Sequence, residues 1–208
     1  MKKEVEVTDW FRFENEAHSE GYNIVCGVDE AGRGPLAGPV CAAAVILPDG
    51  CLIDGLNDSK KLTEKKREAL YDVIKEKAVA YSIAMADEKE IDQINILQAT
   101  FLAMKRAVEG LSVKPDFVLV DGNRDPKINI PVKTVVKGDA LSASIAAASV
   151  LAKVTRDRYM LEISEKYPEY QFPKHKGYGT KLHYEMIEKY GISDIHRRTF
   201  LKKITGEK

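Results

Sequence analysis

The chain has 208 residues, 44% of them hydrophobic and 31% charged, and its 32 basic residues balance 32 acidic ones. That length can bury the core of a single domain, and the composition is ordinary for a globular protein. No apolar run approaches the roughly 20 residues of a membrane span. A net charge of zero argues against a nonspecific nucleic-acid binder, which usually has a basic excess. The N-terminus lacks the apolar stretch of a secretory signal.

The cysteines and the basic clusters refine this picture. Cys26, Cys41 and Cys51 are odd in number and form no CxxC pair, which predicts free thiols and a cytoplasmic location. Basic residues cluster in five short runs: Lys60-Lys61, Lys65-Lys66-Arg67, Lys174-His175-Lys176, Arg197-Arg198 and Lys202-Lys203. They are consistent with a basic rim around an acidic site, although the second run alone is typical of a solvated helix face.

The first third of the chain alternates between predicted strands and helices. Continuous apolar runs predict buried strands over residues 24–28 and 40–47, separated by a turn rich in glycine and proline. Thr63 has the chemistry of an N-cap for a helix that ends near Lys77. A further strand is predicted over residues 79–85.

The middle of the chain continues the alternation. Asp87 and Glu90 have the spacing of a capping box at the start of a helix. One apolar stripe is predicted on that helix, formed by Leu97, Phe101, Met104 and Val108. Pro115 ends the helix, and strands are predicted over residues 116–120 and 132–136.

The last predicted elements are helical. An alanine-rich helix is expected over residues 141–166, because alanine favours helix and allows close packing on a sheet. Thr180 and Gly191 bracket one more helix as N-cap and C′ residues. Strands interleaved with helices in this way predict an α/β layered domain.

Acidic side chains stand at the ends of the predicted strands. Asp29 and Glu30 follow the first strand, Asp121 follows the strand over 116–120, and Asp139 precedes the long helix. Open α/β sheets bind ligands at the carboxyl ends of their strands, and carboxylate oxygens suit Mg²⁺ and Mn²⁺. Adjacent residues of a regular strand point to opposite faces. Asp29 and Glu30 are therefore expected to share a site only if the chain leaves strand geometry, as Gly32 would allow.

Four converging carboxylates would repel one another unless cations bound between them. The alternative interpretation makes each acid a separate turn or cap residue. For one acid taken alone, that alternative is the more common situation.

Several motifs occur in a fixed order around these acids. The first is the run VCGVDEAGRGPLAGP over residues 25–39. The others are Asn57-Asp58-Ser59-Lys60-Lys61-Leu62-Thr63, Val120-Asp121-Gly122, Lys137-Gly138-Asp139, Ala146-Ala147-Ala148-Ser149, Ala152-Lys153-Val154-Thr155-Arg156-Asp157 and Lys176-Gly177-Tyr178-Gly179-Thr180. Together they resemble ribonuclease HII, the type 2 ribonuclease H family, over residues 23–200. The resemblance implies a ribonuclease H-like fold: a five-stranded mixed sheet with flanking helices and a helical C-terminal region.

The resemblance also implies an activity. It assigns Asp29, Glu30, Asp121 and Asp139 as catalytic, metal-binding acids that hold two Mg²⁺ or Mn²⁺ ions. The expected reaction is hydrolysis of the RNA strand of RNA–DNA hybrids and nicking 5′ to ribonucleotides embedded in duplex DNA. The expected ends are a 5′-phosphate and a 3′-hydroxyl, which fits a role in ribonucleotide excision during DNA replication and repair.

Substrate recognition is implied by two further motifs. The turn Gly32-Arg33-Gly34 and Tyr178 match the family's elements that read the 2′-hydroxyl, and the tyrosine stacks on the next deoxysugar. Ordinary loop packing is the alternative for Tyr178. Phosphate or strand contacts are expected from the remaining matched polar residues: Asn57, Ser59, Lys60, Lys61, Ser149 and Lys153.

Some residues are less clearly assigned. Arg156 and Asp157 are interpreted as structural ion pairs or helix-surface contacts, and His183 as a surface residue. The segment His196-Arg197-Arg198 suits either packing or phosphate contact. The aromatic residues Trp10, Phe11 and Phe13 are expected to cover a hydrophobic patch, with base stacking as the alternative.

The expected organisation is an N-terminal extension over residues 1–20 and a catalytic domain with a helical C-terminal part over residues 21–208. A monomer is expected, with no membrane contact. No sliding-clamp contact is predicted, because the tail KKITGEK has no paired aromatics. The competing interpretations are ribonuclease HIII, a noncatalytic hybrid-binding module and a polynucleotide transferase of the same superfold.

Overall fold

The computed structural model describes residues 9–206. The start of the predicted N-terminal extension and the last two residues of the tail lie outside that range. The described strands are β1 (Val25–Ala31), β2 (Val40–Ile46), β3 (Ala80–Ala86), β4 (Phe117–Asp121) and β5 (Val132–Val135). The described α-helices are α1 (Arg12–Ser19), α2 (Glu64–Lys77), α3 (Glu88–Glu109), α4 (Ala143–Lys166), α5 (Phe172–His175), α6 (Lys181–Tyr190) and α7 (Arg198–Thr205).

The strands form one mixed sheet in the order β3-β2-β1-β4-β5. Strand β2 is antiparallel to both of its neighbours, whereas β1, β4 and β5 run parallel. Val28 of β1 pairs with Val120 of β4, so Asp29 and Asp121 follow side by side at the carboxyl ends of their strands. The predicted architecture, a five-stranded mixed sheet with flanking helices, is confirmed.

Helices cover both faces of the sheet. Helix α3 packs against β1, β2 and β3, while α4 lies against β1 and β2 and carries α2 on its outer side. A Cβ atom at Gly27 would lie 2.2 Å from the Ser144 carbonyl carbon, so only glycine lets the α4 backbone approach β1 this closely. Ala43 of β2 packs in one buried cluster with Ala146, Ala147 and Ala148 of α4. Ala42 and Ala44 point to the other face and join the cluster on the α3 side.

Helix α3 is correctly placed but its predicted apolar stripe is only half right. The capping box of Asp87 and Glu90 is present. Met104 and Val108 are buried, whereas Leu97 and Phe101 are only partly covered. The buried face instead runs through Ala99, Ala103 and Ala107 beside Met104 and Val108, so Leu97 and Phe101 lie at its margin. The helix is also kinked before this stripe at Asn95, which has φ 66° and ψ 163°. Its side chain accepts hydrogen bonds from the amides of the next turn, so a new helical phase begins there.

A second core lies beside the sheet. Tyr170 and Phe172 form its centre between the short C-terminal helices, and the connection between β1 and β2 contributes Leu36 and Ala37. Trp10, which precedes α1, and Phe13 of α1 each pack against a cluster of buried apolar residues, which confirms the predicted covering role for these two. Across the described range, no helix is both long and apolar enough to cross a membrane.

Candidate active site

The first acidic pair lies inside a regular strand. Strand β1 continues through Ala31, with Asp29 opposite Ala43 and Glu30 opposite Ala42. The expectation that the chain leaves strand geometry here is therefore wrong. Both acids nevertheless lie near Asp121, whose charge raises the pKa of each of them. Asp29 and Glu30 therefore lie near Asp121 at the carboxyl-terminal end of β1 without any break in strand geometry.

The other two acids are joined by hydrogen bonds. The Asp121 Oδ1 atom accepts from the amide of Gly138 at 2.7 Å and from the amide of Asp139 at 3.4 Å. Lys137 has a left-handed φ of 59°, which turns the chain back toward β4 after β5. Asp139 is thereby buried beside Asp121, although 17 residues separate Gly138 from that acid.

The acidic set is electrostatically strained. Burial raises the pKa of Asp29 well above its usual range, and the charges of Glu30 and Asp121 raise it further. Burial also raises the pKa of Glu30, with Arg33 opposing and Asp121 reinforcing the shift. The pKa of Asp139 is raised by burial first and then by Asp121. Each carboxylate therefore holds its charge at a cost that a bound cation would remove.

Two basic side chains offset part of this charge. Lys60 Nζ lies 3.4 Å from Asp139 Oδ2, and Arg33 Nη1 lies 3.4 Å from Glu30 Oε1. Partial burial opposes the charge of Lys60, but the nearby carboxylates, Asp29 first, raise its pKa overall. The charge of Asp58 also raises the pKa of Asp139. Asp58 was not among the predicted site residues.

The donors are chemically suited to hard divalent ions, since all of them are carboxylate oxygens. Within residues 9–206, however, no three Asp, Glu, His or Cys side chains are grouped tightly enough to hold a metal ion as they stand. The four acids lie near one another and repel one another, but they do not form a closed coordination shell.

The predicted phosphate contacts divide into buried and accessible residues. Ser59 and Ser149 are buried, and their hydroxyls lie 2.7 Å apart beside Asp29. Lys60 and Lys61 are exposed at the rim. Asn57 is partly covered and accepts the amide of the next residue.

Tyr178 lies beside the turn that follows β1. A Cβ atom at Gly34 would lie 3.7 Å from the Tyr178 ring, so the two predicted ribose-reading elements adjoin each other. The ring is 41% exposed, which argues against loop packing as its role. Lys153 Nζ and the Arg156 guanidinium each lie 5.8 Å from the ring centre. Lys153 also pairs with Asp157 at 2.7 Å.

Two side chains predicted on the surface are buried. Arg156 donates to the carbonyls of Pro39, Ala37 and Lys176 at 3.0, 3.1 and 3.1 Å, so the helix-surface interpretation is wrong. His183 is fully buried, which also contradicts the prediction. It occupies the inner face of α6 with Ile187, and this i,i+4 spacing is the signal that was overlooked.

His183 belongs to a buried histidine network beneath the loop of Tyr178. Its Nδ1 donates to the Tyr178 carbonyl at 3.0 Å, so its Nε2 accepts from His196 Nε2, also at 3.0 Å. His196 Nδ1 accepts from the Ser193 amide at 2.9 Å, and the His175 ring stacks on His183 at 4.3 Å. These bonds are satisfied only when the rings are neutral. The network therefore supports the loop from below.

A family model described as Ribonuclease HII matches residues 26–203. The ribonuclease HII of Caldicellulosiruptor bescii is 58% identical over 196 residues, which are 94% of this chain and 95% of that protein. The ribonuclease HII of Clostridioides difficile is 56% identical over 192 residues, which are 92% of this chain and 75% of that protein.

Solved structures agree on the fold. The ribonuclease H2 of Pyrococcus horikoshii matches with a TM-score of 0.71 at 31% identity, over 85% of this chain and 93% of that one. The RNase HII in a PCNA complex from Archaeoglobus fulgidus matches with a TM-score of 0.67 at 25% identity, over 84% and 94%. An RNase HIII in complex with Mn²⁺ is 20% identical with a TM-score of 0.66, which shows the shared ribonuclease H-like fold alone.

These matches decide between the related families. The ribonuclease HII sequences are far more similar to this chain than the RNase HIII, and the family model extends over most of its length. The chain therefore belongs to the ribonuclease HII family and is a ribonuclease H enzyme.

Proposed function

We propose that this enzyme hydrolyses the RNA strand of RNA–DNA hybrids and nicks duplex DNA 5′ to embedded ribonucleotides, leaving 5′-phosphate and 3′-hydroxyl ends. One observation carries the proposal. Ser149 of α4 lies beside Asp29 at the acidic end of β1. Lys153, one turn further along α4, lies 5.8 Å from the centre of the exposed Tyr178 ring. A phosphodiester at the acids would then have its sugar beside the residues that read the 2′-hydroxyl.

Asp29, Glu30, Asp121 and Asp139 are proposed to hold two Mg²⁺ or Mn²⁺ ions. The donor set fits, because burial first and the neighbouring carboxylates second raise the pKa values of three of these acids, and divalent ions would offset both effects. Such ions, when bound, supply an activated water and stabilise the departing 3′ oxygen.

The remaining residues bind and orient the substrate. Lys60 and Lys61 are proposed to contact phosphates from the rim, with Asn57 beside them. The turn Gly32-Arg33-Gly34 and Tyr178 read the 2′-hydroxyl, the feature that distinguishes RNA from DNA. Since the net charge is zero, binding depends on this local basic rim and weakens as salt rises.

We also propose how the chain is organised and where the enzyme works. Residues 21–208 act as the catalytic domain, and the enzyme works as a monomer in the cytoplasm.

The test is cleavage, with Mg²⁺ or Mn²⁺, of a DNA duplex that carries one ribonucleotide. An all-DNA duplex and an Asp121→Asn variant serve as controls. We expect metal-dependent cutting 5′ to the ribonucleotide, absent from both controls. Cutting of a long hybrid but not of this duplex would remove the junction role from Tyr178. No cutting of either substrate would leave the noncatalytic hybrid-binding interpretation standing.

A narrower test concerns Tyr178 itself. Tyr178→Phe keeps the ring for stacking but removes the hydroxyl. We expect a slower rate on the single-ribonucleotide duplex, and an unchanged rate and junction preference would contradict the assigned role.

A further inference from the structure

Two arginines are buried in an unusual way. Arg156 and Arg197 are each 0% exposed, and neither has a carboxylate within 4.0 Å in the described part of the chain. A buried charge without a partner is strongly destabilising unless hydrogen bonds replace its hydration. Both side chains meet that need through backbone carbonyls alone, and Arg197 binds three carbonyls of the turn that follows β1.

The three carbonyls bound by Arg197 belong to Gly32, Arg33 and Gly38. Its Nη2 donates to Gly32 at 2.6 Å, its Nη1 to Arg33 at 3.0 Å and its Nε to Gly38 at 2.9 Å. A guanidinium is a planar fork with fixed donor directions, which an ammonium does not reproduce. Arg197 therefore fixes the orientation of two successive peptide units of the turn.

Fixing those carbonyls also fixes two N–H groups. The structure contains no cis peptide bond in its described range, and in a trans peptide the C=O and N–H point in opposite directions. The Gly32 carbonyl shares its peptide unit with the Arg33 amide, and the Arg33 carbonyl shares its unit with the Gly34 amide. Because both carbonyls point inward to Arg197, both amides point outward.

These two amides are available to a ligand. Among residues 9–206, no acceptor is hydrogen-bonded to the amide of Arg33 or of Gly34. Gly34 is exposed and lies against the Tyr178 ring. Pro35, which follows, has no N–H of its own. The turn thus presents two neighbouring donors on the side where the tyrosine is.

We propose that Arg197 is a positioning residue for ribose recognition, which holds the amides of Arg33 and Gly34 outward so that they donate to a 2′-hydroxyl oxygen. The inference rests on the proposed function, because it needs a ribose at this turn. Without the guanidinium, either peptide unit is free to flip. A flipped unit presents a carbonyl where the hydroxyl oxygen requires a donor.

Arg156 provides a matched comparison. It is equally buried and also binds three carbonyls, but these belong to Ala37, Pro39 and Lys176. None of them shares a peptide unit with the amides of Arg33 or Gly34. Arg156 packs against Gly32 and the Tyr178 ring, so it supports the turn by packing, whereas Arg197 fixes the orientation of the two amides.

The experiment measures discrimination in binding, separately from cleavage. Dissociation constants are determined for a single-ribonucleotide duplex and an identical all-DNA duplex, using the full chain with Asp121→Asn to prevent turnover. We expect Arg197→Lys to reduce the preference for the ribonucleotide duplex by about tenfold, as for one lost hydrogen bond to a hydroxyl. Arg158→Lys should keep the preference, because its side chain is exposed and pairs with Glu68. An unchanged preference in folded Arg197→Lys would overturn the proposal.

A second variant covers the case in which Arg197→Lys does not fold. The Arg197 guanidinium lies 5.2 Å from the Phe200 ring, so Phe200→Leu loosens it without removing a hydrogen bond. We expect a smaller loss of preference, and no loss would count against the proposal.

Amide chemical shifts provide a readout that needs no substrate. In Arg197→Lys the signals of Arg33 and Gly34 should move, and in Arg158→Lys they should not. If the parent protein shows no ribonucleotide preference, the proposed function fails and ribose positioning fails with it. If the preference exists but these shifts do not move, only the role of Arg197 fails.

Discussion

Two buried polar regions of this molecule differ in whether their charged groups have partners. At the carboxyl ends of β1 and β4, acids are crowded together, and the pKa values of Asp29, Glu30 and Asp139 are raised by burial and by their neighbours. Beneath the adjoining turn, Arg156 and Arg197 are buried just as deeply, yet each has three carbonyl acceptors.

The difference separates a reactive region from a supporting one. The arginine region is complete as it stands, because its donors are matched to acceptors of the same chain. The acidic region is incomplete, because two basic side chains do not balance its charge. Removing an acid should therefore damage activity and spare stability, whereas removing a buried arginine should damage stability.

The largest expected effect is on activity, from Asp29→Asn. The amide keeps an oxygen to accept the Glu30 amide, a bond of 2.7 Å, but it loses the charge. We expect the cleavage rate to fall at least about 1000-fold, which is about 4 kcal/mol in the barrier. The free energy of unfolding without metal should stay the same or rise, because repulsion is relieved. Parallel kinetics and urea unfolding measure both quantities, and a clearly less stable variant would contradict the comparison.

The next largest effect is on stability, from Arg156→Met. Three buried carbonyls lose their donor, and each unsatisfied polar group costs about 1–3 kcal/mol. We expect a loss of about 3 kcal/mol or more by urea unfolding. The matched control is Arg158→Met on the same helix, whose exposed pair with Glu68 should be worth at most about 1 kcal/mol.

A comparable effect is expected on acidification, through the histidine network. Burial, followed by neighbouring histidines, lowers the pKa of His183 to about 4 and that of His196 to about 3. The unfolded chain takes up these protons near pH 6.5, so stability is complete above that value and decreases as pH falls toward 4. One such shift is worth on the order of 3 kcal/mol.

Unfolding experiments between pH 7 and pH 4 measure this slope. Replacing His183 with Gln should flatten it at a lower overall stability. A slope that is the same in both proteins would place the acid sensitivity in the carboxylates instead.

The smallest expected effect comes from the N-terminal helix. Glu14 is buried, and its Oε1 accepts from the Ser142 hydroxyl at 2.7 Å and from the Ser144 amide at 3.1 Å, at the start of α4. Glu14→Gln removes the charge from these bonds, with an expected loss of about 1–2 kcal/mol in unfolding free energy. Glu16→Gln, two residues away on an exposed face, should change stability less. Equal effects would mean that α1 contributes only its apolar contacts.

The sequence predicted the features that depend on near neighbours. The caps at Thr63, Asp87 and Thr180, the buried strands and the positions of the acids at strand ends all follow from local spacing. The kink at Asn95 was not predicted, because the apolar stripe from Leu97 to Val108 lies entirely on its C-terminal side.

The supporting residues could not be predicted because their partners are distant in sequence. The bond from Arg197 to Gly32 spans 165 residues, and the one from Arg156 to Pro39 spans 117. An arginine with no nearby acid resembles any surface arginine until the fold brings the carbonyls to it. The histidines were missed for the same reason, except that His183 had a helical partner in Ile187.

The span of the Arg197 bonds has a consequence for synthesis of the protein. All four acids have been translated once the ribosome passes Asp139, but the residue that holds the turn appears 58 codons later, because position 197 follows position 139. A nascent chain emerges from its N-terminus, so the acidic edge can assemble before the turn is held. Ribose selectivity should therefore be acquired only after Arg197 has emerged from the ribosome, and a chain stalled before Arg197 would carry the acids without it.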